Sequence, residues 1–272
     1  MKINSDIINQ LKGEVDSATK IILSILQVEF TESLQLVYFK GSAAKSWDSL
    51  LDYIPRLSDV DIHIKLNDKK TLFDQTNKKT IKQAMRINTS YRRMFLNLHP
   101  KYLHIPRLQI MAINKFENNP NFIFPKKHQV KILYGKWNEY KDIEKEEIQK
   151  IDRNNLIKDY DSLKGLSEKL VDKSGLEFWN ILKGLSWKIS PSPTRLLTNL
   201  LPENDPYTIW SYNRTKTINI LKRVGSKELS EKYKQYYILG WENFYSGFTN
   251  HELLNSQILI AYEILEKAIE LV

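Results

Sequence analysis

Apolar positions along the chain follow two rhythms. In residues 4–28, Ile7, Ile8, Leu11, Val15, Ala18, Ile21, Ile22, Ile25 and Leu26 recur at the spacing of one helix face, which predicts an amphipathic helix at the start. The rhythm then shortens. Leu34 through Phe39 is a compact, β-prone run that ends at Gly41-Ser42, where glycine supplies a turn that bulkier residues resist. Residues 43–57 are mixed and close at Pro55, as a short helix or ordered loop would. In Asp59-Val60-Asp61-Ile62-His63-Ile64 the side chains alternate, so Val60, Ile62 and Ile64 share one face of a second strand and Asp59, Asp61 and His63 the other.

Residues 69–98 read as a basic amphipathic helix. Tyr102–Ile105 and Arg107–Ile113 read as β segments parted by Pro106, and Val130–Gly135 as a last short strand. From about residue 138 the strand rhythm fades. Helical patterns occupy 139–172, 176–189, 207–223, 228–247 and 251–270, separated by Pro191, Pro193, Pro202, Pro206 and Gly225. The expected fold is α+β: a mixed sheet with flanking helices over residues 1–137, then an all-helical domain over 138–272.

Composition narrows the chemistry. The chain has no cysteine, which excludes disulfides and thiolate metal sites. No stretch approaches the roughly 18 apolar residues of a membrane span, and the N-terminus lacks a signal-peptide core, so the expectation is a cytoplasmic protein with no membrane partner. Forty-one Lys and Arg against 32 Asp and Glu give a net charge of +9, which favours a polyanionic partner such as a nucleoside triphosphate or a nucleic acid.

The acid strand carries the strongest chemical signal. Carboxylates at i and i+2 share a strand face, near enough to hold one hard divalent cation, and two such acids without a cation repel. Solvated acids on an exposed edge strand would share the pattern. The wider context is more specific: a β-prone run into Gly41-Ser42, then Asp59-x-Asp61 flanked by apolar residues.

That arrangement resembles the signature of the DNA-polymerase-β-like nucleotidyltransferase superfamily over residues 1–135. A sheet domain followed by a helical one is similar to the layout of small aminoglycoside-type or archaeal nucleotidyltransferases. The resemblance implies a nucleotidyltransferase-type sheet domain in which Gly41 and Ser42, with Lys45 and Ser58 beside them, hold the triphosphate. It implies that Asp59 and Asp61 are catalytic and bind Mg2+ or Mn2+. The nucleotide substrate would be an NTP, ATP being the first candidate. The reaction would move a nucleoside monophosphate onto an acceptor, whether small molecule, protein or nucleic acid, and release pyrophosphate. Lys45 is also readable as one of many solvated lysines.

Two features depart from the family pattern. The spacer between Ser42 and Asp59 is long, so Trp47–Leu57 reads as an insertion. The place of a third carboxylate, Leu108-Gln109-Ile110, offers Gln109, which cannot act as a general base. Glu117, Asp68, Asp74 and His63 are the substitute bases the sequence offers, although His63 reads more readily as the cap of a wet strand face. Gln109 also opens a second reading, a catalytically impaired nucleotide- or nucleic-acid-binding module that retains the fold. An interaction protein is a third.

In the helical half, Trp187–Arg195 and Trp210–Thr215 combine aromatic residues with Arg, Asn and Ser near helix ends. Arg195, Asn213 and Arg214 are therefore candidate contacts to acceptor or phosphate, together with Gln109. Ordinary packing of aromatic residues in a helical core is the competing account.

Overall fold

Helix α1 (Ser5–Glu29) buries Leu11, Val15, Ala18, Ile22 and Leu26, the face that the apolar spacing predicts. The structure is a computed structural model and describes residues 5–67, 71–73 and 75–272. Its architecture is α+β, with a four-stranded mixed sheet.

The strands are β1 (Leu34–Lys40), β2 (Asp59–Leu66), β3 (Arg107–Ala112) and β4 (Lys131–Gly135), arranged β3-β2-β1-β4. β1 runs antiparallel to β2 and β4, whereas β2 and β3 are parallel and need a crossover, which contains α2 (Lys78–Leu98). In the β1–β2 ladder Val37 faces Ile64 and Phe39 faces Ile62, and all four are buried. On the opposite face Tyr38 lies across from His63, and Leu36, Tyr38, Ile113 and Trp137 form a buried cluster against Phe124, Val130 and Tyr140. Both faces of the sheet centre are therefore covered. That leaves the end of the ladder, where Lys40 meets Asp61, as the half-buried part of the acid row.

The helical half comprises α3 (Lys145–Asp161), α4 (Leu166–Asp172), α5 (Leu176–Ile189), α6 (Ser192–Leu200), α7 (Pro206–Ser211), α8 (Arg214–Arg223), α9 (Lys227–Tyr245) and α10 (His251–Glu270). Helix α10 packs against α3, α5, α6 and α9, and it buries Leu254, Ile258, Ala261, Ile264, Leu265 and Ala268. Among the described residues no helix is long and apolar enough to cross a membrane.

Several elements differ from the sequence expectation. Helix α2 begins at Lys78, later than residue 69, because the Asn77 carboxamide accepts from the N–H groups of Lys79 and Thr80 at 3.0 and 3.1 Å and caps the helix there. Residues 102–105 form no strand. Their donors turn to α1 instead, where the Glu14 carboxylate takes Leu103 N–H at 2.6 Å and His104 N–H at 3.3 Å. The 139–172 pattern splits at Gly165, which adopts a positive φ of 79°, and the 207–223 pattern splits where Asn213 caps α8. Helix α6 has no counterpart in the expectation, because Pro191 and Pro193 read as separators. Pro193 sits in the first helical turn, where a missing N–H costs no hydrogen bond.

The chain divides into two compact units. Met1–Ser46 with Ser58–Lys141 forms the sheet unit, and Trp47–Leu57 with Asp142–Val272 forms the helical unit. The long spacer between the two halves of the motif thus folds with the helices. Trp241 donates its indole N–H to Leu50 O at 2.8 Å, and Asp52 accepts from the Thr215 N–H at 2.9 Å and the Thr215 hydroxyl at 2.8 Å.

Candidate active site

The site is assembled at one end of the sheet. β1 ends at Lys40, and Gly41 follows with φ 82° and ψ −171°, a left-sided backbone that leads into the short 3-10 turn Ser42–Ala44. Lys40 is the ladder partner of Asp61, so the turn arrives directly beside that acid. A Cβ built on Gly41 would meet Asp61 Oδ2 at 1.9 Å and Asp61 Cγ at 2.9 Å. Glycine is thus required twice, for the backbone conformation and for the close approach of main chain to carboxylate.

Parallel pairing with β3 sets Arg107 opposite Asp59 and Gln109 opposite Asp61. Arg107 Nη2 lies 2.5 Å from Asp59 Oδ1, with the two side chains 22% and 7% exposed. Gln109 donates one amide nitrogen to Asp59 Oδ2 at 3.2 Å and to Asp61 Oδ1 at 3.0 Å. The surroundings dictate that orientation, since the reverse would set the amide oxygen against two carboxylates. The two acids therefore converge on one donor. Lys40 completes the arrangement: burial lowers its pKa from the ordinary lysine range, and the Asp61 carboxylate opposes the shift.

Repulsion between the two acids does not by itself call for a metal ion, because the protein supplies a guanidinium, an amide and an ammonium group to the same face. Among the described residues no cluster of three or more His, Cys, Asp or Glu is placed to hold a metal. An all-protein cage is therefore not what this donor set offers. Two convergent carboxylates do fit the usual magnesium arrangement, in which one or two protein acids share the ion with substrate phosphates and water.

The remaining sequence candidates lie as follows. Ser42 and Lys45 are half-buried in the turn after Gly41, and Ser58 is buried immediately before Asp59. His63 does not cap a wet face. It is 3% exposed, shares a 3.0 Å hydrogen bond with the Tyr38 hydroxyl and has its pKa pushed down to about 2, first by burial and then by the positive charges of Lys40 and Lys115. A neutral, enclosed imidazole of that kind serves the core. Glu117 is ion-paired with Lys65 at 2.8 Å. Asp68 and Asp74 lie outside the described residues.

Arg195, Asn213 and Arg214 belong to the helical unit and make contacts within it. Arg195 pairs with Asp159. Asn213 caps α8 and donates to Asp48 Oδ2 at 2.8 Å. Arg214 is buried, donates to the carbonyls of Leu51 and Asp52 at 3.1 and 3.2 Å, and stacks on the Tyr237 ring at 4.2 Å. Sequence reasoning missed Arg107 and Lys40. Lys40 had a local signal, its place directly before Gly41, whereas Arg107 is recognisable only once the parallel register is known.

Comparison with family models, with curated proteins and with solved structures gave no match for this chain.

Proposed function

We propose that the sheet unit is a nucleotidyltransferase domain of the DNA-polymerase-β-like kind, which transfers a nucleoside monophosphate from a triphosphate, ATP in the first instance, to an acceptor. The observation that carries the reading is the contact between Gly41 and Asp61. The glycine turn and the acid pair are distant in sequence, yet the main chain of one lies where any larger residue would strike the carboxylate of the other. Turn and acids form one site, as a triphosphate spanning both would need.

In that reading the backbone of Gly41-Ser42 and the side chains of Ser42, Lys45 and Ser58 receive phosphate oxygens, for which turn N–H groups and hydroxyls are suited. Arg107 and Lys40 add positive charge beside the acids. Asp59 and Asp61 would hold magnesium or manganese, whose contribution when bound is to offset charge on the transferring phosphoryl group. The acceptor forms a bond to the α-phosphorus, the bond from that phosphorus to the bridging oxygen breaks, and pyrophosphate leaves with the electron pair. Among the described candidates Gln109 is no base, His63 stays neutral and enclosed, and Glu117 is paired with Lys65, so in this reading the acceptor's proton passes to solvent. An acceptor that needs little deprotonation suits such a site.

The test measures pyrophosphate release from ATP with magnesium, beside nucleotide binding with and without the metal. The double variant Asp59→Asn, Asp61→Asn should lose release by about a thousandfold or more, and magnesium should no longer tighten its nucleotide binding. If magnesium does not strengthen binding in the wild type and the double variant binds equally well, the reading fails. One observation favours a second reading, a binding module that retains the fold without transfer: Gln109 already bridges the two acids where the family has a carboxylate. Magnesium-dependent pyrophosphate release with any acceptor excludes that alternative.

A further inference from the structure

Helix α2 (Lys78–Leu98) carries six Lys and Arg residues and no Asp or Glu. At 3.6 residues per turn, Lys78, Lys82, Thr89 and Arg93 fall along one line, with Lys79 and Arg86 on one flank and Met85 and Arg92 on the other. The opposite side of the helix is the one that packs: Tyr91 and Phe95 are buried, and the Tyr91 hydroxyl donates to Pro106 O at 2.7 Å. All six basic side chains are exposed. Among the described residues only Arg86 is ion-paired, with Glu29 at 2.6 and 2.8 Å, and Lys78, Lys79, Lys82, Arg92 and Arg93 have no ion-pair partner.

A charge run is ordinarily a solvated face, but solvated helices mix signs to gain i,i+4 pairs, and this one forgoes every such pair. A line of cations without interspersed acids is complementary to a line of anions. From Lys78 to Arg93 the stripe runs about 22 Å, the length over which one strand of a duplex presents about six phosphates.

Two features choose among polyanions. Single-stranded nucleic acid is gripped by exposed aromatic platforms, and the aromatic residues of α2, Tyr91 and Phe95, are both buried. An anionic membrane surface is gripped by a helix with one continuous apolar face free to enter the headgroup region. Here Tyr91 and Phe95 are buried, and the exposed Ile81 and Met85 lie on the other side of the helix from the exposed Met94 and Leu98, so no single apolar face is free. We infer that the exposed face of α2 docks the phosphate backbone of double-helical nucleic acid, independently of base sequence. The contact does not depend on the acid site, so it stands or falls apart from nucleotide transfer.

The test titrates the full chain with labelled duplex DNA and duplex RNA of mixed sequence, with the corresponding single strand and with phosphatidylserine vesicles. Duplex binding should weaken steeply with salt. The triple variant Lys78→Glu, Lys82→Glu, Arg93→Glu should bind at least about tenfold more weakly and lower the log–log salt slope by about 3. A charge-matched variant in the helical unit, Lys150→Glu, Lys222→Glu, Lys234→Glu, should retain wild-type binding, as should Asp59→Asn, Asp61→Asn. Unfolding midpoints of all variants establish that each is folded. Equal weakening by the charge-matched variant would reduce the effect to net charge and overturn the inference. Preference for single strand or vesicles, or failure to bind either duplex, would overturn it as well.

Discussion

Asp52 in the helical unit and the Asp59–Asp61 pair in the sheet unit are carboxylates with different kinds of partner. Asp52 is 1% exposed and accepts from the N–H groups of Asp48 at 2.8 Å, Ser49 at 3.0 Å and Thr215 at 2.9 Å, and from the Thr215 hydroxyl at 2.8 Å. Three of those donors are main chain, fixed by the turn and helix start to which they belong. The partners of Asp59 and Asp61 include the tips of long side chains, the Arg107 guanidinium and the Gln109 amide, with Lys40 across the ladder. Main-chain donors cannot be exchanged for a ligand without unfolding the turn, whereas side-chain tips on flexible stems can move aside. The donors to Asp52 hold the fold, whereas the Arg107 and Gln109 tips are partners that can move without unfolding a turn.

The largest effect should come from breaking the fixed environment. Asp52→Ala would leave four donors without their acceptor and should cost the helical unit about 4 kcal/mol in urea unfolding. A loss below about 1 kcal/mol would mean that water replaces the carboxylate freely and that Asp52 does not anchor the spacer.

Asp152 sits between the two cases. One oxygen accepts from the Thr198 hydroxyl at 2.9 Å and the Trp210 indole at 3.0 Å, while Oδ1 is buried without a hydrogen-bond partner. Burial outweighs those donors and the nearby Arg195 charge, and pushes the pKa up to about 6 from 3.8. Between those values the folded state keeps a proton that the unfolded chain releases. Stability therefore falls as pH rises from about 4 to about 6, by about 3 kcal/mol, and is flat in this term above that range. Asp152→Asn should remove the dependence. Parallel pH profiles for wild type and variant would refute the assignment.

How far the sequence carried this comparison follows from the range of the forces involved. The faces of α1 and β2, and the α5 and α10 helices, were legible because periodicity is a local property of consecutive residues. The absent strand at 102–105 was not, because its donors are claimed by Glu14, far earlier in the chain. Nor was the membership of Trp47–Leu57 in the helical unit, which depends on Thr215, Arg214 and Trp241. Within the site, Gly41, Asp59 and Asp61 stand out as residue types, and Gln109 stands out as a departure from the family pattern. Its two-acid bridge and the pairing of Arg107 with Asp59 come from strand register, which no local pattern encodes.

The glycine turn offers a smaller test of the acid pair. Gly41→Ala adds a Cβ at positive φ against Asp61 and should cost about 2 kcal/mol of stability. It should also displace Asp61, so magnesium-dependent nucleotide binding weakens by more than the loss of stability explains. If Gly41→Ala unfolds like wild type, the close approach is not a constraint.

Gln109→Glu sharpens the comparison most finely, because it changes the environment of the acids by one group while keeping its size. The amide now donates to both carboxylates, and a glutamate there would repel them, so stability without metal should fall by about 1 kcal/mol. The same substitution supplies the third carboxylate that the superfamily pattern carries. Magnesium should therefore raise the melting temperature of Gln109→Glu more than that of wild type, reversing the order of the two proteins as the metal is added. Pyrophosphate release should increase if the missing base limits the reaction, and remain unchanged if the acceptor needs none. If magnesium stabilises both proteins equally, the acids at this end of the sheet are held for the fold, as Asp52 is, and the distinction between the two environments does not hold.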